Sequence, residues 1–140
     1  MAILMLLHAT CIVLYEKAVL LVGPAGIGKS DLALRLIDSG AKLIADDQTL
    51  LTRKEAQIMA SAPAALGGLM EIRQVGLIRV PFQAEAPVGL YVDLCAASEV
   101  LPRLPEKDQL FLLDHPVKRL RLPSFLIQKD YRHCLRIFLL

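Results

Sequence analysis

A chain of 140 residues with 55% hydrophobic composition is long enough for one core and too apolar for intrinsic disorder. A net charge of +2 excludes a general field for polyanions. Three scattered cysteines, Cys11, Cys95 and Cys134, lack CxxC spacing and read as buried thiols of a reducing cytosol.

In chain order, Met1 to Cys11 carries no Lys or Arg before its apolar run and is far too short to span a bilayer. A first buried strand is expected there instead of a lipoprotein signal. The run Ala18 to Val22 predicts a second strand and leads directly into Gly23-Pro24-Ala25-Gly26-Ile27-Gly28-Lys29-Ser30, a complete GxxxxGK[ST] loop. Glycines let such a loop fold round a triphosphate with its N–H groups inward. Lys29 then serves the β- and γ-phosphates, and the Ser30 hydroxyl serves Mg²⁺. The next segment, Asp31 to Ile37, predicts a helix with Leu32, Ala33, Leu36 and Ile37 on one face and Gly40 as its left-handed C-cap. Lys42 to Ala45 reads as a strand ending at Asp46-Asp47, which completes a βαβ-type unit with two carboxylates beside the loop.

The remainder is expected to be β-rich. Thr49–Thr52 and Gln57–Ala60 predict a hairpin round Arg53-Lys54-Glu55, and Ser61 to Gly68 reads as loop. Strands are expected over Gly76–Val80 and Val88–Val92, divided by Pro81 and Pro87. Leu110–Leu113 and Lys118–Leu122 are expected to pair across Asp114-His115-Pro116, and Tyr131–Leu140 suits either strand or helix. The basic residues Lys118, Arg119, Arg121, Lys129, Arg132 and Arg136 are opposed only by Asp130. They form a solvated face or a contact for acidic protein or phosphate; without interleaved aromatics, nucleic acid is disfavoured.

A phosphate loop needs acids for its metal, and three strand ends offer them: Asp46-Asp47, Asp93 and Asp114. Asp114, before His-Pro, reads as a turn residue. Adjacent aspartates at a strand end point to opposite faces, so one can face metal and substrate while the other holds the loop. Such a site suits a general base for an incoming hydroxyl. Glu71 and Arg73, two apart, project to one side if extended and could hold a metal and a phosphoryl group, or form a surface ion pair.

His8-Ala9, Gly23 to Ser30, Leu43-Ile44-Ala45-Asp46-Asp47 and Met70-Glu71-Ile72-Arg73-Gln74-Val75-Gly76-Leu77-Ile78 together resemble the catalytic domain of HPr kinase/phosphorylase, in order and spacing, through roughly residues 8 to 80. The resemblance implies one α/β catalytic domain over residues 1–140. Its fold would be a phosphate-loop kinase fold of the HPr kinase and phosphoenolpyruvate carboxykinase type, β-rich with a central phosphate-loop helix. It also implies a cytoplasmic ATP- and Mg²⁺-dependent serine kinase acting on HPr, the phosphocarrier of the bacterial phosphotransferase system. The alternative is a nucleotide-binding signalling module without transfer.

Family roles place Lys29 on the phosphates, Ser30, Asp47 and Glu71 on the metal side, and Asp46 and Asp47 in catalysis. Asp47 would take the serine proton, His8 would assist it, and Arg73 would lie in the stretch used in both reaction directions. A hexamer is the family's usual assembly. Gln74 stands where the family usually has glycine; it fits with a negative φ, so a different local turn is expected. The outline resembles compact members without the N-terminal domain, in which kinase activity is better supported than phosphorylase activity. The later catalytic arginine would be Arg103.

Overall fold

Two short aliphatic runs form the centre of the molecule because they are apolar on both faces. In the computed structural model, which describes residues 3–63, 67–96 and 108–123 together with Leu135 and Leu139, these are strands β2 (Thr10–Leu14) and β3 (Lys17–Val22). Ile12, Leu14, Val19 and Leu21 point to one buried cluster, while Cys11, Val13, Ala18 and Leu20 point to another on the opposite face. Strands covered on both sides need such continuous hydrophobic runs. Burial also pushes the Cys11 thiol far above its ordinary pKa, so it stays protonated and unreactive.

The other elements are β1 (Leu4–Leu7), α1 (Lys29–Asp38), β4 (Lys42–Ala45), β5 (Thr49–Lys54), β6 (Gln57–Ser61), β7 (Leu69–Ile72), β8 (Gly76–Arg79), β9 (Glu85–Cys95), β10 (Asp108–Leu112) and β11 (His115–Pro123). Among the described residues a nine-stranded mixed sheet runs β1-β5-β6-β9-β3-β2-β4. Long β9 explains the branch: its start pairs antiparallel with β6, and its end pairs parallel with β11, whose hairpin partner is β10. On its other side β9 runs parallel to β3. Strand β2 lies between β3 and β4, antiparallel to both, so β3-α1-β4 crosses over one strand. This is an α/β fold with a mixed sheet.

Helix α1 buries Leu32, Ala33, Leu36 and Ile37 against the first cluster, the face expected from their spacing. Gly40 (φ 114°) ends it: its N–H bonds Ile37 O and the Ala41 N–H bonds Leu36 O, both at 3.0 Å, the two bonds of a Schellman cap. Leu135 and Leu139 are helical and buried in the same cluster. The rest of the C-terminal segment, Cys134 and Arg103 lie outside the described residues.

Two expectations are corrected. The opening run is not one buried strand but two strands broken at His8-Ala9, and β1 lies at the sheet edge with Leu4 and Leu6 exposed. Its Met5 and Leu7 turn inward to the second cluster, the alternation of a half-buried strand. Pro87 does not divide strands; it lies inside β9 opposite Met59, near the start of that strand. The expected hairpins are present, with β5 continuing through Arg53 and Lys54, and with the second turning at Leu113-Asp114 so that His115 and Pro116, expected in the turn, already pair within β11. Outside the main sheet, β7 and β8 form a two-stranded hairpin of their own. Among the described residues no helix is long and apolar enough to cross a membrane.

The two-residue β2–β3 turn places Tyr15 (φ 51°) and Glu16 (φ 66°) in the left-handed region, as a type I′ turn demands, without glycine or asparagine. Left-handed backbone costs a side-chain-bearing residue on the order of 1 kcal/mol. Glu16→Gly should therefore raise stability by about 1 kcal/mol and the melting temperature by roughly 3 °C in a thermal scan. An unchanged or lower melting temperature would show the turn to be unstrained.

Candidate active site

The loop from Gly23 to Ser30 leaves the end of β3 and enters α1 through Gly28 (φ 109°), so the helix begins with free N–H groups at the loop. A cavity of about 690 Å³ opens there, lined by His8, Thr10, Ala25, Gly26, Gly28, Lys29, Ser30, Asp46, Asp47, Glu71 and Arg73 among others. Of the expected loop residues, Gly23, Pro24 and Ile27 do not line the cavity. They shape the turn instead: the Ile27 N–H donates to Pro24 O at 3.1 Å, and a Cβ on Gly23 would meet Leu94 O at 2.9 Å. Lys29 is buried, and its Nζ donates to Gly23 O at 2.7 Å and Pro24 O at 3.2 Å.

The paired aspartates separate into two environments. Strand β4 ends at Ala45, and the Gln48 N–H donates to Asp46 O at 2.8 Å across Asp47 (φ 69°), a three-residue turn in a sparsely populated conformation. That turn sends the two carboxylates apart. Asp46 Oδ1 accepts from Ser30 Oγ at 3.0 Å and from Thr10 Oγ1 at 3.2 Å, and Asp46 Oδ2 accepts from the Glu71 N–H at 3.2 Å. Asp47 is exposed, with Oδ1 3.3 Å from His8 Nε2. Such an exposed pair adds little stability; it orients one side chain against the other. The acid bonded to the Ser30 hydroxyl is thus Asp46, while Asp47, expected with Ser30 and Glu71 on the metal side, lies beside His8.

Strand β7 brings Glu71 to the cavity, and Arg73 follows in the β7–β8 turn; both are exposed, and among the described residues no ion pair joins them. The expected negative φ at Gln74 is also overturned. Ile72 O accepts the Val75 N–H at 3.0 Å, and Gln74, in the third position of that turn, has φ 69°. A type II turn requires this backbone, which glycine adopts freely and glutamine only with strain.

Thr10 was not among the residues expected from the sequence. It is fully buried, and its hydroxyl both donates to Asp46 and accepts the Asp47 N–H at 3.4 Å. Its signal was a hydroxyl two residues after His8, at the head of an otherwise aliphatic strand. Asp93, the competing strand-end acid, is not available: Arg119 Nη2 donates to its Oδ2 at 2.7 Å across the parallel β9–β11 pair. That bond raises the Arg119 pKa, and burial with the Asp93 charge raises that of Tyr91.

The HPr Serine kinase C-terminal domain model matches residues 1–91. The HPr kinase/phosphorylase of Clostridium acetobutylicum is 30% identical over 127 residues, covering 84% of this chain and 42% of that protein. Its counterpart in Lacticaseibacillus casei strain BL23 is 32% identical over 128 residues, covering 84% and 40%. The solved HPr(Ser) kinase/phosphatase from Coxiella burnetii superposes with a TM-score of 0.81 at 26% identity, covering 95% of this chain and 98% of that one. Likeness therefore extends well past residue 80, where the resemblance read from motifs faded. The chain spans less than half the length of the curated relatives it matches.

Two stability measurements test this geometry. Thr10→Val keeps shape but removes the hydroxyl from both aspartates, and should cost about 1–2 kcal/mol in a denaturant titration. Gln74→Gly should add about 1 kcal/mol by relieving the turn. Equal midpoints for wild type and both variants would contradict the bonding and the strain alike.

Proposed function

The chain belongs to the HPr serine kinase C-terminal domain family, and on that premise we propose that it is an ATP-dependent serine kinase whose substrate is the phosphocarrier HPr. The observation that carries this reading is the convergence of Lys29, Ser30-Asp46 and His8-Asp47 on one cavity at a helix N-terminus. Lys29 would exchange its loop carbonyls for phosphate oxygens, and the free N–H groups of the first helical turn would face the same anion. Asp47 would accept the proton of the serine hydroxyl as it attacks the terminal phosphorus, with His8 assisting that carboxylate by hydrogen bond or charge. Arg73 would meet the equatorial phosphoryl oxygens, where charge spreads in the transition state.

The donor set fits Mg²⁺. Mg²⁺ takes oxygen ligands, usually one or two carboxylates with waters and substrate phosphates, so a hydroxyl and carboxylate 3.0 Å apart beside a second acid suit it. Ser30, Asp46 and Glu71 would hold it, and bound there it would neutralise phosphate charge. The proposal extends to a phosphate-loop kinase fold of the phosphoenolpyruvate carboxykinase type, a single catalytic domain, a cytoplasmic location and a homo-oligomer, hexameric as is usual in the family.

Incubation with ATP, Mg²⁺ and HPr, followed by intact-mass measurement, should show one phosphoryl group added to the carrier on serine. Asp47→Asn should slow that transfer by a factor of about 10² or more while ATP still binds. An unmodified carrier with the wild-type chain, or full transfer by Asp47→Asn, would refute the reading.

A further inference from the structure

The β7–β8 hairpin carries Glu71 and Arg73, yet among the described residues it belongs to no larger sheet, and an isolated pair of strands does not hold a position in water unaided. Among the described residues it is joined to the rest of the chain as follows. Met70 is buried in the first cluster, Ile72, Ile78 and Val80 pack at that cluster's edge, and the Glu71 N–H bonds Asp46. The last joint is at Phe82. On one side its backbone is fastened to β4: the Leu43 N–H donates to Pro81 O and the Gln83 N–H donates to Leu43 O, both at 2.9 Å. On the other side its ring lies on the base of the hairpin at Gly67-Gly68, where the Val80 N–H closes onto Gly68 O at 2.8 Å.

That approach exists only because both residues lack a side chain. A Cβ on Gly67 would come within 2.5 Å of Phe82 Cε2, and one on Gly68 within 2.8 Å of Cδ1, with Gly68 at φ 81°. Phe82 is 54% exposed, so the ring is not held there by a core pocket. Strand β4 leads directly into Asp46 and Asp47, so Phe82 joins the strand preceding one pair of acids to the hairpin bearing Glu71 and Arg73.

We propose that Phe82, seated on Gly67 and Gly68, is a positioning residue that sets where Glu71 and Arg73 stand relative to Asp46 and Asp47. Its catalytic consequence rests on the kinase reading above; its structural consequence does not. Phe82 does not line the cavity, so affinity for ATP without Mg²⁺ is independent of it, whereas phosphoryl transfer, which depends on placement to within about 1 Å, is not.

The test compares the wild type with Phe82→Ala, Phe82→Tyr and Gly68→Ala. Amide hydrogen exchange at Glu71 is read alongside that at Leu20 in the buried strand β3. Phe82→Ala and Gly68→Ala should speed exchange at Glu71 about tenfold and leave Leu20 unchanged. Both should lower kcat for transfer to HPr at least about tenfold, with affinity for ATP, measured without Mg²⁺, within about twofold of wild type. Phe82→Tyr, which keeps the ring, should restore both. Unchanged Glu71 exchange in Phe82→Ala, equal loosening of Leu20, or parallel loss of ATP affinity would overturn the proposal. A wild type inactive on HPr whose Glu71 exchange still responds would sink the kinase reading and leave the positioning role standing.

Discussion

One carboxylate holds the site together. Asp46 accepts hydrogen bonds from the first turn of α1 through Ser30, from the head of β2 through Thr10, and from β7 through the backbone of Glu71. Three segments far apart in the chain meet on its two oxygens. Charge-assisted hydrogen bonds of this kind are stronger and more directional than neutral ones, so a single aspartate can fix three elements together. Asp47, released from that duty by the turn between them, faces solvent and His8. The pair is thus one anchored and one exposed carboxylate side by side.

The scaffold beneath is suited to bearing strain. Strands β2 and β3 are buried on both faces, and β3 and β9 run parallel beside each other, so the loop leaves the stiffest part of the sheet. Against that rigidity the chain tolerates side-chain-bearing residues with positive φ at Asp47 and Gln74, both at the cavity or in the turn beside it. Strain of this kind persists only where surrounding contacts over-determine the backbone. At Asp47 the Gln48 N–H and the Thr10 hydroxyl do so; at Gln74 it is the closed turn between Ile72 and Val75.

Strand-end position alone does not make an acid available. Asp93, expected at a strand end, lies two residues inside the end of β9, next to the phosphate-loop strand, and its carboxylate is taken up by Arg119, which also approaches Asp108 at 3.9 Å. Asp46 is bonded as well, but by hydroxyls and one amide, neutral donors that bring nothing to oppose a carboxylate's charge. A guanidinium cancels that charge. The difference between the two aspartates lies in the donors they meet.

Family resemblance gathered His8, Lys29, the aspartates, Glu71 and Arg73 into one reading, whereas by itself the sequence determined the local features: the glycine loop between an apolar strand and an amphipathic helix, the Gly40 cap and the two expected hairpins. Each of these depends on spacing within one segment, where periodicity and turn chemistry act directly. Tertiary structure alone decided which aspartate meets Ser30, that Thr10 braces both, that Asp93 is claimed by Arg119, and that Phe82 joins the hairpin to β4. Those outcomes depend on which way a side chain turns once strands distant in sequence are aligned. A positive φ at Asp47 exchanges the partners of neighbouring carboxylates without changing a residue. The same holds at Gln74, where the need to close a turn overrode the residue's own preference for negative φ.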